Sequence, residues 1–471
     1  VRGAKPVMWS PVERTALAEA EVEYHDRKVP TIWVKFDFDA FAPDRDWMRE
    51  NETEVRAFFE LMGETEAGGY SGLKPGDKIQ HPVSKPISVV IWTTTPWTIP
   101  VNQAVSFSTE IAYGVYEVES VMSEEELGFA PYAIVGERLI IADALAETVM
   151  AAAKVSQFKR VTSVAPQILA GLKLNHPLAE VDPFWQHDIP MLVGDHVTDD
   201  AGTGFVHTAP AHGEDDYNVF IASGRQSSEV RQIVDADGCY TEEVPEPLRG
   251  LDIIRTSGKK RGQPGKANDA VIKLLAESEN LLARGVATIR DAHSWRSKAP
   301  VIRRATPQWF IAMDSGTKGD KTLREAALKG IEDTHFVPPQ GRNRITAMVK
   351  DRPDWLISRQ RNWGVPITLL VSPDGRPHTD ALSEEDAKTV NARILSAIEA
   401  EGVEAWFSAD AATFLEGVVP DTSEWTKVND VLDVWFDSGT THAFALRDRG
   451  IIDDATGQAD VYLEGSDQHR G

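Results

Sequence analysis

Two segments far apart in the sequence carry side chains that could hold a polar ligand and place a water molecule. The first, residues 92–100 (WTTTPWTIP), contains four threonines: Thr93, Thr94, Thr95 and Thr98. A threonine hydroxyl offers one donor and two acceptors on a side chain that is stiff about χ1, so a cluster can fix a ligand with little loss of rotamer freedom. The alternative is a threonine-rich turn whose hydroxyls cap its own backbone.

The second segment, residues 195–217 (DHVTDDAGTGFVHTAPAHGEDDY), contains His207 and Asp216. Gly202 and Gly204 allow a close approach of the backbone. The acids at 214–216 open an apolar stretch and fit the first turn of a helix, where they would complement the helix dipole. Stabilisation of that helix remains an alternative role for Asp216, and a structural histidine remains an alternative for His207.

Strands and helices must position these groups. Ile87–Trp92 is rich in β-branched residues and predicts a buried strand, which Pro96 prevents from continuing. Other stretches predict further elements of a mixed α+β region, and the polar, Gly- and Pro-rich residues 41–85 are interpreted as a variable surface excursion. The further strands are Thr31–Phe36 and Ala133–Val135, and the helices are Asp143–Ala153 and Asn268–Ala283.

Near its end the sequence predicts a strand at Val461–Leu463, followed by a polar loop. Open parallel sheets bind ligands at the carboxyl ends of their strands, so this loop could hold a substrate ammonium. Capping of a following helix is the alternative for its acids. Trp363 and Trp435 are expected by default to be core tryptophans. The loop residues of interest are Glu464, Gly465, Asp467 and Gln468.

Length and composition limit the function classes. At 471 residues, 42% of them hydrophobic, the chain should form two or three domains. A single cysteine, Cys239, excludes a disulfide framework and a cysteine-rich zinc cluster and fits a reducing cytosol. No apolar run of about twenty residues and no signal peptide occur, so the expected location is the cytoplasm, with no membrane partner.

The formal net charge of −24 argues against a protein that grips nucleic acid over its whole surface. An RNA partner would need a local basic face, although each candidate could equally be solvated charge. The candidates are Lys259-Lys260-Arg261, Arg303-Arg304, Arg342, Arg344, Arg359 and Arg361.

Together these motifs resemble the isoleucyl-tRNA synthetases, in order and over nearly the whole chain. The threonine segment and residues 195–217 resemble the hydrolytic editing pocket of that family, and several later stretches resemble its synthetic domain. The valine and leucine enzymes of the same class have Thr-Thr-Arg-Pro at the threonine segment, whereas here Pro96 is followed by Trp97-Thr98, which favours isoleucine. The later stretches are residues 294–310, 355–367, 433–439 and 462–471.

The resemblance implies an α/β fold: part of a Rossmann-like class I catalytic domain, interrupted by a mixed, β-rich editing domain. Residues 1–28 would end the first catalytic segment, 29–290 would form the editing domain, and 291–471 would begin the second catalytic segment. A His-x-Gly-His motif and a Lys-Met-Ser-Lys-Ser loop, which handle ATP in this class, do not occur in the sequence. We therefore expect a fragment that cannot activate isoleucine by itself but could edit.

The resemblance also implies residue roles. Asp216 would bind the α-ammonium of valine on mischarged tRNA(Ile), and His207 would border the side-chain cavity and exclude isoleucine. The threonines and Asn102 would hold the terminal adenosine and position the attacking water. Glu464, Gly465, Asp467 and Gln468 would bind the aminoacyl-adenylate, and Trp363 and Trp435 would wall the isoleucine pocket.

The implied partners are tRNA(Ile), isoleucine and, as the edited substrate, valine, with a monomeric protein and ATP with Mg²⁺ serving the full-length enzyme. His207, His212 and Asp216 could be imagined as zinc ligands, but the resemblance and the lack of nearby cysteines argue against this. No metal is predicted in this segment. A free-standing deacylase acting in trans and a non-catalytic tRNA-binding fragment remain as alternative functions.

Overall fold

The computed structural model describes residues 2–41, 51, 58, 87–315, 321–452 and 459–463. The described strands are β1 (Arg2–Gly3), β2 (Pro6–Ser10), β3 (Thr15–Leu17), β4 (Val22–Phe41), β5 (Ile87–Thr93), β6 (Ala104–Phe107), β7 (Tyr113–Val121), β8 (Arg138–Ala142), β9 (Val155–Val164), β10 (Leu172–Asn175), β11 (Asp188–Val193), β12 (Phe205–Thr208), β13 (Leu281–Ser294), β14 (Ile302–Ala305), β15 (Gln308–Ile311), β16 (Trp355–Leu356), β17 (Ser358–Arg359), β18 (Leu370–Val371), β19 (Thr426–Lys427) and β20 (Val431–Leu432).

Helices lie between and after these strands. They are α1 (Glu124–Leu127), α2 (Ala146–Ala152), α3 (Pro166–Gly171), α4 (Glu214–Ala222), α5 (Ala267–Glu277), α6 (Leu323–Asp333), α7 (Gln340–Lys350), α8 (His378–Ala381), α9 (Glu384–Glu401), α10 (Glu404–Ser408), α11 (Ala411–Leu415) and α12 (Val434–Gly439). A 3-10 helix at Pro96–Val101 lies between β5 and β6.

The chain forms two compact units. One consists of residues 1–4, 14–22 and 306–471, and the other of residues 5–13 and 23–305. The functional boundaries at residues 28 and 290 stay a prediction. Strands and helices are mixed in both units, so the predicted α/β class is confirmed.

A large sheet organises the second unit. Its described strands follow the order β12-β6-β11-β10-β4-β5-β8-β7-β9, and β13 also pairs with β4. The pairs β11–β6 and β5–β8 are parallel. Alternate side chains of β4, Ile32, Val34 and Phe36, are fully buried, as expected for a strand that packs one face against a core.

The first unit has smaller sheets among its described residues, in which the strand pairs are antiparallel. Its core forms where α9 packs against α10 and α11. Ser383 caps the start of α9, because its hydroxyl accepts from the Asp386 amide, and Gly402 follows the end of the helix. The buried core side chains are Leu370, Val390, Ile394, Trp406, Phe414 and Leu415.

Several predicted elements are confirmed and others are wrong. The strands at Thr31–Phe36 and Ile87–Trp92 are present as parts of β4 and β5, and a 3-10 turn followed by α2 covers residues 143–152. Ala133–Val135 is not a strand. The helix predicted to reach Ala283 ends at Glu277, because Glu279 takes a positive φ of 59° and the chain turns into β13.

The predicted strand at Val461–Leu463 is also wrong, since these residues have no regular structure and are strongly exposed. Most of the predicted excursion at residues 41–85 lies outside the described residues.

Candidate functional site

The threonine turn, defined here as Thr93 to Thr98, begins where β5 ends. β5 is buried along almost its whole length, and Pro96 starts the 3-10 helix that replaces it. The side chains of Thr93 and Thr98 are buried, whereas Thr94 and Thr95 are half-buried. This change of backbone direction places several hydroxyls at one end of the large sheet.

His207 reaches the threonine turn from β12, which pairs antiparallel with β6. Its Nε2 lies 2.9 Å from Thr98 Oγ1 and its Nδ1 lies 2.5 Å from Asn102 Nδ2. The amide nitrogen of Asn102 also donates to the Ala104 carbonyl at 2.8 Å. The two segments chosen from the sequence are thus in direct contact.

These contacts fix the protonation of His207. Because the Asn102 amide nitrogen is a donor, Nδ1 of His207 must accept, and the neutral ring carries its proton on Nε2. Burial, with a further contribution from the nearby His212, lowers the pKa of His207 to about 3. His207 is therefore a neutral donor to Thr98 at any pH near neutrality.

The three threonine hydroxyls form a hydrogen-bond chain of one direction. Thr98 Oγ1 accepts from His207 and donates to the Thr95 carbonyl at 2.8 Å, so Thr95 must be the donor in its 3.3 Å contact with Thr98. Thr93 is then the donor in its 3.2 Å contact with Thr95. All three hydroxyl protons are used inside the turn, and the capacity that remains is in acceptor lone pairs.

The same turn also caps its own backbone. The Thr95 amide donates to Thr93 Oγ1 at 3.1 Å, and the Thr98 hydroxyl donates to the Thr95 carbonyl. The sequence left two roles open for these hydroxyls, capping of the turn's own backbone and ligand binding. In the structure they cap the turn, and Thr98 also contacts His207. The Asn102 Oδ1 atom is buried and accepts no hydrogen bond within the described residues.

Asp216 lies in the first turn of α4, as predicted, but its carboxylate points back along the chain. Its Oδ2 accepts from the Ala209 amide at 2.9 Å, two residues beyond His207. A Cβ atom on Gly213 would sit 2.5 Å from Oδ2, so this glycine leaves the room that the carboxylate needs. The turn thus brings an acid to the end of the strand that carries the histidine.

The electrostatic state of Asp216 is unusual for a helix N-terminus. Burial, with a smaller contribution from the charge of Asp215, raises its pKa to about 6, against the opposing effect of the Ala209 amide. A carboxylate with little access to water is ionised at neutral pH only at a free-energy cost. A ligand cation would relieve that cost.

Close packing shapes the second segment. Gly204 has a φ of +82°, and a Cβ there would lie 2.3 Å from the Cβ of Ala142. Its carbonyl accepts from the buried Tyr113 hydroxyl at 2.8 Å. The close approach predicted for Gly204 is therefore confirmed.

Four aromatic side chains hold the backbone of the 3-10 helix and its end; we call them the aromatic clamp. Each donates a hydrogen bond to a backbone carbonyl of this segment, so the backbone that carries Thr98 and Asn102 is held by four side chains. Sequence reasoning missed this group, since no local pattern marks it. The pairs are Tyr240 to Trp97 (2.5 Å), His176 to Ile99 (2.9 Å), Trp185 to Pro100 (3.0 Å) and His187 to Asn102 (3.4 Å).

His212 belongs to the surroundings of the site. Its Nδ1 lies 2.7 Å from the Arg303 carbonyl, and its ring packs edge-on against Trp97 at 4.7 Å. Burial is the main cause that lowers its pKa to about 4. Both ring nitrogens of His207 are engaged by protein groups, and within the described ranges no cluster of histidine, cysteine and acidic side chains is arranged to hold a metal.

The other predicted site residues lie elsewhere. Trp363 is 90% exposed, so the core interpretation of this residue is wrong, and Trp435 in α12 is half-buried. Their role in an isoleucine pocket stays a prediction. The loop residues Glu464, Gly465, Asp467 and Gln468 lie outside the described residues.

Some candidate RNA-facing arginines have structural roles. Arg359 is 1% exposed and pairs with Glu21 at 3.1 Å and Asp433 at 2.8 Å. Arg361 also pairs with Glu21, and Arg304 lies over the ring of Trp9. Arg359 is therefore excluded as part of an exposed basic face.

Comparisons with known proteins cover the whole chain. The family model for class I tRNA synthetases (I, L, M and V) matches residues 1–471. A protein of Caulobacter vibrioides named isoleucine--tRNA ligase is 50% identical, and the match covers 100% of this chain and 43% of that protein. One of Mesorhizobium japonicum with the same name is 46% identical over 100% of this chain and 44% of its own length. The chain thus spans less than half the length of these relatives.

Solved structures also resemble the chain. The crystal structure of GlLeuRS-CP1 matches 53% of this chain and 97% of its own, with a TM-score of 0.30 and 14% identity. The editing domain of the cytosolic leucyl-tRNA synthetase of P. falciparum matches 54% of this chain and 99% of its own, with a TM-score of 0.32 and 10% identity. In the part of the chain that the structure describes, no helix combines the length and apolar character needed to cross a membrane.

Proposed function

The chain belongs to the class I tRNA synthetases (I, L, M and V), and we propose that it is the editing-domain region of an isoleucine–tRNA ligase that hydrolyses Val-tRNA(Ile). The 50% identity to a protein named isoleucine--tRNA ligase supports the choice of amino acid. The whole protein would join isoleucine to tRNA(Ile) as a monomer, using ATP with Mg²⁺. The two ATP motifs of the class do not occur in this sequence, and the hydrolytic reaction proposed for this chain does not involve ATP.

The need for such a site follows from the size of a methylene group. A pocket that accepts isoleucine discriminates against valine by only about 1–3 kcal/mol, a value already established for enzymes of this kind. A second site that admits valine and excludes isoleucine removes the error. The single observation that carries the proposal is the joined network of Thr98, His207 and Asn102, with the half-buried Asp216 held by the Ala209 amide two residues beyond His207.

Asp216 binds the α-ammonium of the valyl group. Because burial raises its pKa to about 6, the carboxylate is ionised above that pH and gains most from a cationic partner. The neutral ring of His207 borders the side-chain cavity, where a fixed, buried ring can exclude the larger isoleucine. Its proton is committed to Thr98, so it acts through position and not as a base.

The threonine turn accepts hydrogen bonds from the substrate. With the protons of Thr93, Thr95 and Thr98 used internally, the turn offers lone pairs to the hydroxyls of the terminal adenosine and to the attacking water. That water adds to the ester carbonyl carbon, and the ribose oxygen leaves with a proton. The products are valine and tRNA, and the enzyme contributes mainly orientation.

The test compares hydrolysis of Val-tRNA(Ile) and Ile-tRNA(Ile) by the chain and by Asp216→Ala. We expect valine-selective hydrolysis that the substitution abolishes. Asp215→Ala is the matched control, because this acid lies in the same helical turn but is exposed, and it should keep activity. Normal editing by a folded Asp216→Ala protein would refute the assignment of this site.

A further inference from the structure

The loop that leads into α5 has an unusual charge. Five cations fall within residues 255–266, although the whole chain carries a net charge of −24. Among the described residues, none of the five takes part in an ion pair, and those at 259–261 and 266 are exposed. The cations of this basic loop are Arg255, Lys259, Lys260, Arg261 and Lys266.

The basic loop has a defined shape. Its base is closed by two backbone hydrogen bonds, from the Arg255 amide to the Gln263 carbonyl at 2.9 Å and from the Gly262 amide to the Arg255 carbonyl at 2.8 Å. Gly258 and Gly262 take φ values of +72° and +80°, which allow the tight 3-10 turn at 258–260. The tip therefore presents Lys259 and Lys260 to solvent on an ordered turn.

The loop is connected directly to the threonine turn. It runs into α5, which packs against the 3-10 helix Pro96–Val101. Asn268, two residues beyond Lys266, accepts from the Trp97 amide through Oδ1 at 3.0 Å. Two residues span at most about 7 Å, so the end of the basic loop lies close to the segment that carries Thr98.

Two acids flank the loop in sequence, Asp252 before it and Asp269 in the first turn of α5. Asp252 precedes the loop, and its carboxylate accepts from the Lys266 backbone amide at 3.0 Å. The positive end of the α5 dipole faces the same region and adds to the attraction for anions. The loop carries five cations against these two acids, and its Lys266 end lies close to the threonine turn, where a phosphate-bearing substrate would meet it.

We propose that the basic loop binds the phosphate backbone of the tRNA whose aminoacylated 3′ end enters the candidate site. This inference rests on the proposed function. Phosphate contacts position a nucleic acid without reading its sequence, and they contribute affinity through the release of counterions. The loop should therefore affect how tightly the tRNA binds and leave the hydrolytic step unchanged.

The test uses Lys259→Gln/Lys260→Gln, which removes two charges without reversing them. The matched control is Lys329→Gln/Lys388→Gln, which changes the net charge equally at exposed helical sites in the other unit. If both loop lysines contact phosphates, the slope of log K against log salt falls in magnitude by about 1.4 to 1.8. This change in slope corresponds to about 20-fold weaker binding of tRNA(Ile) by the loop variant than by the wild type at about 0.15 M salt.

Two substrates separate this inference from the proposed function. For Val-tRNA(Ile), the loop variant should raise KM by a similar factor and keep kcat, while the control matches the wild type. For 3′-O-valyl-adenosine, which has no phosphate backbone, the loop variant should match the wild type. Unchanged tRNA binding and salt slope in the loop variant would overturn the inference even if editing occurs. If neither substrate is hydrolysed, the proposed function fails, and the binding measurement still decides the role of the loop.

Discussion

Asp216→Asn should make the protein more stable at neutral pH while it removes the proposed editing activity. The native pKa of Asp216 is raised from 3.8 to about 6, so the folded protein binds this proton more tightly than the unfolded chain does. Stability from this group is fully present below pH 3.8 and is lost as the pH rises through about 6. Ionised Asp216 therefore destabilises the fold above that pH.

The size of the effect follows from the shift. A rise from 3.8 to about 6 corresponds to about 3 kcal/mol at about 1.4 kcal/mol per pH unit. We take about 1–3 kcal/mol as the expected gain at pH 8. Asparagine keeps a side-chain oxygen that can accept from the Ala209 amide, so the substitution removes the charge and preserves the hydrogen bond.

Urea denaturation of both proteins at several pH values between 4 and 8 measures this. The stability difference should be near zero at pH 4, grow between pH 4 and 6, and stay constant above pH 7. Asp215→Asn is the control, because Asp215 is exposed in the same turn and its loss removes only about 0.3–1 kcal/mol of helix-dipole stabilisation. A difference independent of pH, or a less stable Asp216→Asn protein at pH 8, would refute the reasoning.

Three further outcomes are expected. Thr98→Val removes the acceptor of the His207 proton, and it should slow Val-tRNA(Ile) hydrolysis at least about 10-fold in a single-turnover assay, since a buried donor then lacks its partner. Trp185→Phe deletes the indole N–H that donates to the Pro100 carbonyl, and it should lower kcat with little change in KM. Its control is Trp406→Phe, which loses an indole hydrogen bond to the Val428 carbonyl in the other unit and should leave the editing kinetics unchanged. Gly204→Ala should lower the thermal midpoint far more than Gly128→Ala, because both glycines have positive φ but only Gly204 meets a neighbour, at 2.3 Å.

Short sequence patterns predicted where the elements of the site begin and end. Pro96 ends β5 because proline cannot continue a central strand, and the acids at 214–216 occur in the first turn of α4. Gly204 was correctly predicted to allow a close approach. The resemblance to the synthetases, and not any local pattern, joined His207 to the threonine turn.

Long-range packing explains what the sequence could not predict. In the aromatic clamp, Trp185 and Tyr240 donate to the carbonyls of Pro100 and Trp97, which lie 85 and 143 residues away in the sequence. No local sequence pattern around either aromatic residue indicates such a distant partner. The strand expected at Val461–Leu463 has a suitable composition, yet it is absent because a short apolar run becomes a strand only when a partner strand is available.

In the hydrogen-bond chain through Asn102, His207 and Thr98, each group donates to the next, and this restricts which substitutions can accumulate during evolution. Each member is a donor or an acceptor only because its neighbour has the opposite role, so a replacement that changes this role at one position leaves the neighbour without a complementary partner. Descendants of this protein should therefore tolerate change at these positions mainly in combinations. Reconstructed ancestors that differ at one position should usually differ at a second one as well.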